Sequence, residues 1–218
     1  MTVDGPVSPE RFQALTGADG AAMERLSRYE TLLRAWNAHT NLVAPSTLAD
    51  IWGRHFWDSA QLMTHLPVGA RTILDIGSGA GFPGLVLAIM LKDTRTGTVH
   101  LVDSTQKKCR FLAEVAAACG VEPVIHWARA EDLAPLGADV VTARAVAPLT
   151  ALLPLIERHL SADAVALLLK GAKATEELTL ARLAWELEAN AIPSRSDSTG
   201  MVLRVTRLRR CPKPTIQS

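Results

Sequence analysis

The stretch Thr72-Ile73-Leu74-Asp75-Ile76-Gly77-Ser78-Gly79-Ala80-Gly81-Phe82-Pro83-Gly84 constrains the fold more than any other part of the chain. Apolar and β-branched residues lead into an acid, four glycines follow within eight positions, and Leu85 to Met90 continues as an apolar helical run. The pattern predicts a strand, a glycine-rich turn and a helix. Without Cβ atoms, such a turn can take positive φ and bring backbone N–H groups against a ligand. A plain βα turn needs only one or two glycines, so a ligand is expected. Dinucleotides and S-adenosylmethionine both use this arrangement. The literal dinucleotide pattern G-x-G-x-x-G is present as Gly79 to Gly84. However, an acid, Asp75, followed by Gly77-x-Gly79-x-Gly81 suits a cationic, amine-bearing ligand better, which favours S-adenosylmethionine.

A length of 218 residues suits one large domain, or one domain with an extension, and 48% hydrophobic residues supply a sizeable core. Lys+Arg 23 against Asp+Glu 22 leaves a formal charge of +1, so any nucleic-acid surface must be local. The cysteines Cys109, Cys119 and Cys211 form no C-x-x-C pair and no metal spacing, so a reduced, metal-free cytoplasmic protein is expected. Met1 to Pro6 has neither a basic start nor an apolar run, so no secretory signal is expected. No apolar run reaches the roughly 20 residues that span a bilayer.

Ser8-Pro9-Glu10 predicts a helix start. Asp19 can cap a longer helix, in which Met23, Leu26, Tyr29, Leu33 and Trp36 form one apolar stripe. Ser46 precedes a third helical pattern running through Leu48, Ile51, Trp52, His55, Phe56, Ser59, Leu62 and Leu66. Residues 1–68 are thus expected as a helical extension packed on a domain of residues 69–218. On a helix, His55 would stand over Asp58 and Ser59, either as a cofactor-edge contact or as a surface ion pair.

From Thr72 onward, strands and helices alternate. Strands are expected at 98–102, 123–126, 138–143, 164–169 and 201–208, and helices at 105–119, 148–160 and 175–190. This is an α/β open sheet with helices on both faces. In such a sheet ligands bind beyond the carboxyl ends of the strands. Asp75 with the glycines, Asp103, Arg129-Ala130-Glu131 and Arg144 follow four successive strands. Asp103 lies about 20 residues beyond the glycines, where an acid meets a ribose diol. Glu131 falls where an adenine edge would lie.

With Asp75 to Gly84, Asp103-Ser104 through Lys107-Lys108 and Phe111-Leu112, Arg129-Ala130-Glu131, and Ala143-Arg144-Ala145 all in register, the chain resembles one family closely. It is similar to the small-subunit ribosomal RNA guanine-N7 methyltransferases, also called glucose-inhibited division protein B. Trp36-Asn37, Asn41-Leu42, Arg54-His55, Asp58-Ser59, Lys170-Gly171 and Glu176-Glu177 extend the likeness over about residues 20 to 208. The resemblance implies a class I S-adenosylmethionine-dependent fold with a mostly parallel, seven-stranded sheet. It also implies a guanine acceptor in the decoding-region hairpin of 16S rRNA. The expected partner is 16S rRNA or the 30S subunit, since near-zero net charge favours recognition of presented RNA shape, and a monomer is expected. Carried over by position, Gly77, Phe82, Ala130, Glu131 and Arg144 would hold the methyl donor. Asp103 joins them from the strand-end position.

Guanine N7 has a lone pair and no proton, so its methylation needs alignment and no general base. Exocyclic-amine methyltransferases place an Asp/Asn-Pro-Pro-aromatic element after strand four, where this chain has Ala143-Arg144-Ala145-Val146. C5-cytosine chemistry needs a cysteine nucleophile in the crevice, and Cys109 and Cys119 fall within a helix. Arg144 is therefore the expected catalytic residue, anchoring the donor or reading guanine O6, unless it is spent on an ion pair with Asp103 or Glu131. Lys107, Lys108, Arg129 and Lys170 are expected to contact RNA, and Arg204, Arg207, Arg209, Arg210 and Lys213 offer a second, acid-free cationic segment. Two competing functions remain at this stage. One is an NAD(P)-dependent oxidoreductase, though no Tyr-x-x-x-Lys exists; the other is a non-catalytic RNA-binding assembly factor.

Overall fold

The computed structural model describes residues 5–94 and 97–212. Lys213, counted above among the tail cations, lies outside them. Helix α1 (Pro9–Thr16) is capped by the Ser8 side chain, and α2 (Gly20–Asn37) by Asp19. The stripe of α2 is buried at Leu26, Tyr29 and Leu33. The third helical pattern is not one helix. It breaks into a 3₁₀ turn at Pro45–Asp50, a wide π turn at Trp52–Trp57, a short α3 (Asp58–Ala60) and a second 3₁₀ turn at Gln61–His65. The widened turn buries Trp52, His55, Phe56 and Trp57 together.

The sheet then begins with β1 (Thr72–Ile76), α4 (Gly84–Leu91), β2 (Thr98–Asp103), α5 (Gln106–Cys119), β3 (Val124–Trp127) and β4 (Ala138–Arg144). It is completed by α6 (Leu149–His159), β5 (Leu160–Lys170), α7 (Ala174–Ala181), β6 (Trp185–Pro193) and β7 (Met201–Arg210). The strand order is β3-β2-β1-β4-β5-β7-β6. Strands β1 to β5 are mutually parallel, while β7 runs antiparallel between β5 and β6. The helix expected over 175–190 ends at Ala181, and its second half is strand β6. Burial alternates along Trp185, Leu187 and Ala189, and cross-strand pairing with β7 outweighs the helix propensity of Leu, Glu and Ala. That strand supplies the seventh member of the sheet.

One apolar cluster runs from Val7 and Phe12 through Tyr29 and Phe56 to Phe82, Phe111 and Val202, so the N-terminal helices share a core with the sheet. Among the described residues, no helix is long and apolar enough to cross a membrane.

The topological switch point falls between the parallel strands β1 and β4: from β1 the order runs outward through β2 and β3 on one side, and through β4 and β5 on the other. Parallel register sets Asp75 beside Thr142 on β4 and Leu101 on β2, with the glycine turn directly above them.

Candidate active site

The glycine turn is held from below and from the side. Asp75 is fully buried; its Oδ1 accepts a hydrogen bond from Thr142 Oγ1 at 2.8 Å, and Oδ2 accepts from the Gly84 amide at 3.1 Å. It therefore braces the turn and does not face a ligand, correcting the expectation of an acid aimed at a cationic group. Gly81 and Gly84 also serve packing. A Cβ at Gly81, where φ is +92°, would stand 2.5 Å from Tyr29 Oη, and one at Gly84 would stand 2.6 Å from Asp75 Cβ. Two of the three glycines of the G-x-G-x-x-G match, Gly81 and Gly84, are thus used to admit neighbouring side chains. From α2, Tyr29 donates to the Ala80 carbonyl and stacks on Phe82 with centroids 5.4 Å apart. The N-terminal helices thereby fix the turn from the side opposite the sheet.

Burial pushes the Asp75 carboxyl up to about 6, against the hydrogen bonds from Thr142 and Gly84 that favour the anion. The unfolded value is about 3.9, so the native state holds the extra proton between the two values. Stability from this group is full below about pH 4 and is lost as pH rises through 6, by about 3 kcal/mol at most. In urea melts, the stability gap between wild type and Asp75→Asn should shift against wild type from pH 4.5 to pH 7. A pH-independent gap would mean that Asp75 titrates normally.

Beyond the carboxyl ends of β1, β2, β3 and β4 lies a crevice of about 300 Å³. Gly77, Asp103, Ala130, Glu131 and Arg144 all line it, together with Arg129. Gly77 has φ +67°, and a Cβ there would meet Val146 Cγ2 at 2.6 Å. Asp103 is nearly buried; its Oδ2 accepts from the Gly79 amide at 3.0 Å and its Oδ1 from the Thr105 amide at 2.8 Å, with Lys108 Nζ at 3.7 Å. Each oxygen keeps a second lone pair for a ligand. Glu131 is half exposed, 3.7 Å from Arg129. Phe82 is not in the lining. It is 3% exposed and sandwiched between Tyr29 and His55, so its side chain supports the site from beneath.

Arg144, at the end of β4, lines this crevice and also a second cavity of about 660 Å³ beside it. Its NH1 donates to the Arg54 carbonyl at 3.1 Å and to Asp58 Oδ2 at 3.2 Å, and its NH2 donates to His55 Nδ1 at 3.1 Å. The guanidinium carbon lies 4.7 Å above the Phe82 ring. Arg144 is thus paired, but with Asp58, and neither with Asp103 nor with Glu131. The carboxylate is shared with Ser196 Oγ at 2.5 Å and Gln61 Nε2 at 3.0 Å.

The wide π turn makes this network possible by turning His55 inward. No His55–Asp58 pair forms; Ser59 Oγ instead donates to the His55 carbonyl at 2.7 Å. A guanidinium can only donate, so His55 Nδ1 must accept, and Nε2–H donates to Thr47 Oγ1 at 2.8 Å. Burial, with the charges of Arg144 and Arg54, holds His55 down at about 3, so the imidazole is neutral. Spacing allowed a cofactor-edge contact or an exposed ion pair; the irregular turn puts the same residues underneath the arginine.

The expected RNA cations are mostly engaged. Lys107 Nζ donates to the His39 carbonyl at 3.1 Å, and Lys170 Nζ, on a side chain 8% exposed, donates to the Ala147 carbonyl at 2.7 Å and Glu177 Oε2 at 2.8 Å. Arg129 is exposed, within 3.7 Å of Glu131. In the C-terminal segment Arg207, Arg209 and Arg210 face Glu188, Glu186 and Glu157. The acid-free run in sequence acquires acids from β6 and α6.

Solved structures carry the same architecture. A methyltransferase from Aquifex aeolicus described as SAM dependent superposes with a TM-score of 0.54 at 16% identity, covering 81% of this chain and 97% of its own. The sheet order, the braced glycine turn and the crevice above it define a class I methyltransferase fold. The family model for rRNA small subunit methyltransferase G matches residues 22–198. Curated proteins named ribosomal RNA small subunit methyltransferase G are 48% identical over 90% of this chain and 89% of the relative in Rhodospirillum centenum. The one in Caulobacter vibrioides NA1000 is 50% identical over 91% of both chains. The chain belongs to the small-subunit rRNA methyltransferase G family.

Proposed function

We propose that the chain transfers a methyl group from S-adenosylmethionine to N7 of a guanine in the decoding-region hairpin of 16S rRNA, in the cytoplasm, as a monomer acting on the 30S subunit. Family membership carries the RNA methyltransferase assignment, and the site chemistry supports the ring nitrogen. The residues present fit the donor. Gly77 lines the crevice at positive φ, packed under Val146 where a side chain of its own would not fit, Asp103 has spare lone pairs for a ribose diol, and Ala130-Glu131 edge the far side of the crevice. When bound, S-adenosylmethionine supplies a methyl group activated by a sulfonium.

The observation favouring N7 is that the basic groups nearest Arg144 are occupied. His55 has one nitrogen accepting from Arg144 and the other donating to Thr47, and Asp58 accepts from Arg144, Ser196 and Gln61. Neither is placed to remove a proton. Cys109 is buried, with Sγ against the Asp103 carbonyl, and burial pushes its thiol up, so a thiolate nucleophile is not offered there. An acceptor that needs no deprotonation suits such a site. The protein's part is then alignment and exclusion of water, worth up to about 7–11 kcal/mol.

The test is incubation with tritiated S-adenosylmethionine and 30S subunits lacking the modification, with N7-methylguanine mapped by borohydride–aniline cleavage. One cleavage in the decoding-region hairpin is expected, with weaker labelling of protein-free 16S rRNA. Label on an exocyclic amine or a pyrimidine would overturn the assignment. A shift in melting temperature with S-adenosylhomocysteine and none with NAD is expected alongside.

A further inference from the structure

We propose that the 660 Å³ cavity seats the acceptor nucleotide and that Glu177 and Lys170 read its guanine edge. This rests on the methyl-transfer function proposed above. The cavity lies against the donor crevice, and Arg144, Ala145 and Val146 line both. A base stacked in a duplex cannot reach a donor in a crevice, so it must be taken out into a pocket. The volume is within the range of small-ligand sites, and Val43, Val146 and Met201 provide apolar surface for the faces of a ring.

Inside this cavity the Lys170–Glu177 pair has the arrangement of a reader. Lys170 ends β5 and is nearly buried, with its ammonium fixed between the Ala147 carbonyl and Glu177 Oε2. Held there, it is poorly placed for a phosphate on the RNA surface. Glu177, in the first turn of α7, uses Oε2 for the Leu149 amide at 2.7 Å as well as for Lys170. Among the described residues, Glu177 Oε1 has no protein partner, and the ammonium keeps a third N–H. A fixed acceptor and a fixed donor thus stand side by side.

Guanine presents N1–H and the N2 amino group as donors next to O6, an acceptor adjoining N7. Glu177 would take the donors and Lys170 the O6 atom. Adenine offers the opposite polarity, an N6 amino donor beside the N1 acceptor, so it would leave both protein groups unpaired. The Ala147 carbonyl that holds Lys170 is next in the chain to Val146, which stands over Gly77. The pair therefore adjoins the wall that faces the donor crevice, the side toward which N7 must be presented.

Glu177→Gln keeps an oxygen for the Leu149 amide and for Lys170 but replaces the free acceptor with an amide donor. Methyl transfer is measured on 30S subunits carrying guanosine at the target, and on subunits with adenosine there. For wild type, kcat/KM strongly favours guanosine. For E177Q, the guanosine-to-adenosine ratio is expected to fall by about 10-fold or more, with the KM for S-adenosylmethionine and the melting temperature close to wild type. A role confined to capping α6 predicts an unchanged ratio, and that result would overturn the proposal. So would an effect confined to the KM for the donor. Wild-type enzyme that labels neither substrate would instead remove the proposed function itself.

Discussion

Arg144→Ala is expected to lower kcat/KM for methyl transfer by about 100-fold or more, the scale seen when one organising donor is removed from an active site. Its guanidinium holds the Arg54 carbonyl, Asp58 and neutral His55, above the Phe82 ring and between the two cavities. Removal leaves the Asp58 carboxylate, at 17% exposure, short of its charge partner, so stability should fall as well. Arg144→Lys separates the two effects. Lysine restores the charge but cannot donate to three partners in a planar fork, so folding should recover more than activity does. Tritium transfer and thermal melts on the same preparations decide this. Activity in R144A within about threefold of wild type would show that Arg144 is structural only.

Gly84→Ala should destabilise the fold strongly, and more than Gly79→Ala does. Its Cβ would fall 2.5 Å from Leu101 Cδ2 and 2.6 Å from Asp75 Cβ, at a position where helix α4 enters the core with seven of its eight residues buried. Overpacking of this kind costs about 3 kcal/mol, which at this chain length lowers the melting temperature by about 6–12 °C. The Gly84 amide would also be displaced from Asp75, loosening the turn above the donor crevice. Gly79→Ala is the contrast. Its nearest neighbour would be 3.7 Å away, so only the positive φ of +56° is strained, at about 1–2 kcal/mol. Equal melting temperatures for the two variants would contradict the packing geometry described for Gly84.

Much of the architecture was legible because it is written in local pattern. The strand–glycine–helix unit, the alternating strands and helices, and the residues that close four successive strands are all short-range features. Asp103 was nominated from its strand end, and Gly77, Phe82, Ala130, Glu131 and Arg144 from the family resemblance; all but Phe82 line one crevice. Strand β6 was missed because Trp185 to Asn190 has helix-forming residues, and although its partner β7 follows directly after residues 194–200, the cross-strand pairing that selects the extended form exists only once the two segments meet.

What the chain specifies by itself is thus the open α/β sheet, the family, and the position of the glycine turn, since backbone propensity and periodicity act over a few residues. Partnership had to wait for the fold. Asp75 changed from a ligand contact to a brace, because parallel register put Thr142 beside it and the turn returned Gly84 over it. His55 and Asp58 moved from a helix surface to the underside of Arg144, because a π turn rotated them inward. Lys170 is held by Glu177, and Arg207, Arg209 and Arg210 have acids from other elements beside them. The charge of a side chain belongs to its residue type, but which opposite charge stands beside it is set by contacts between separate elements of the fold.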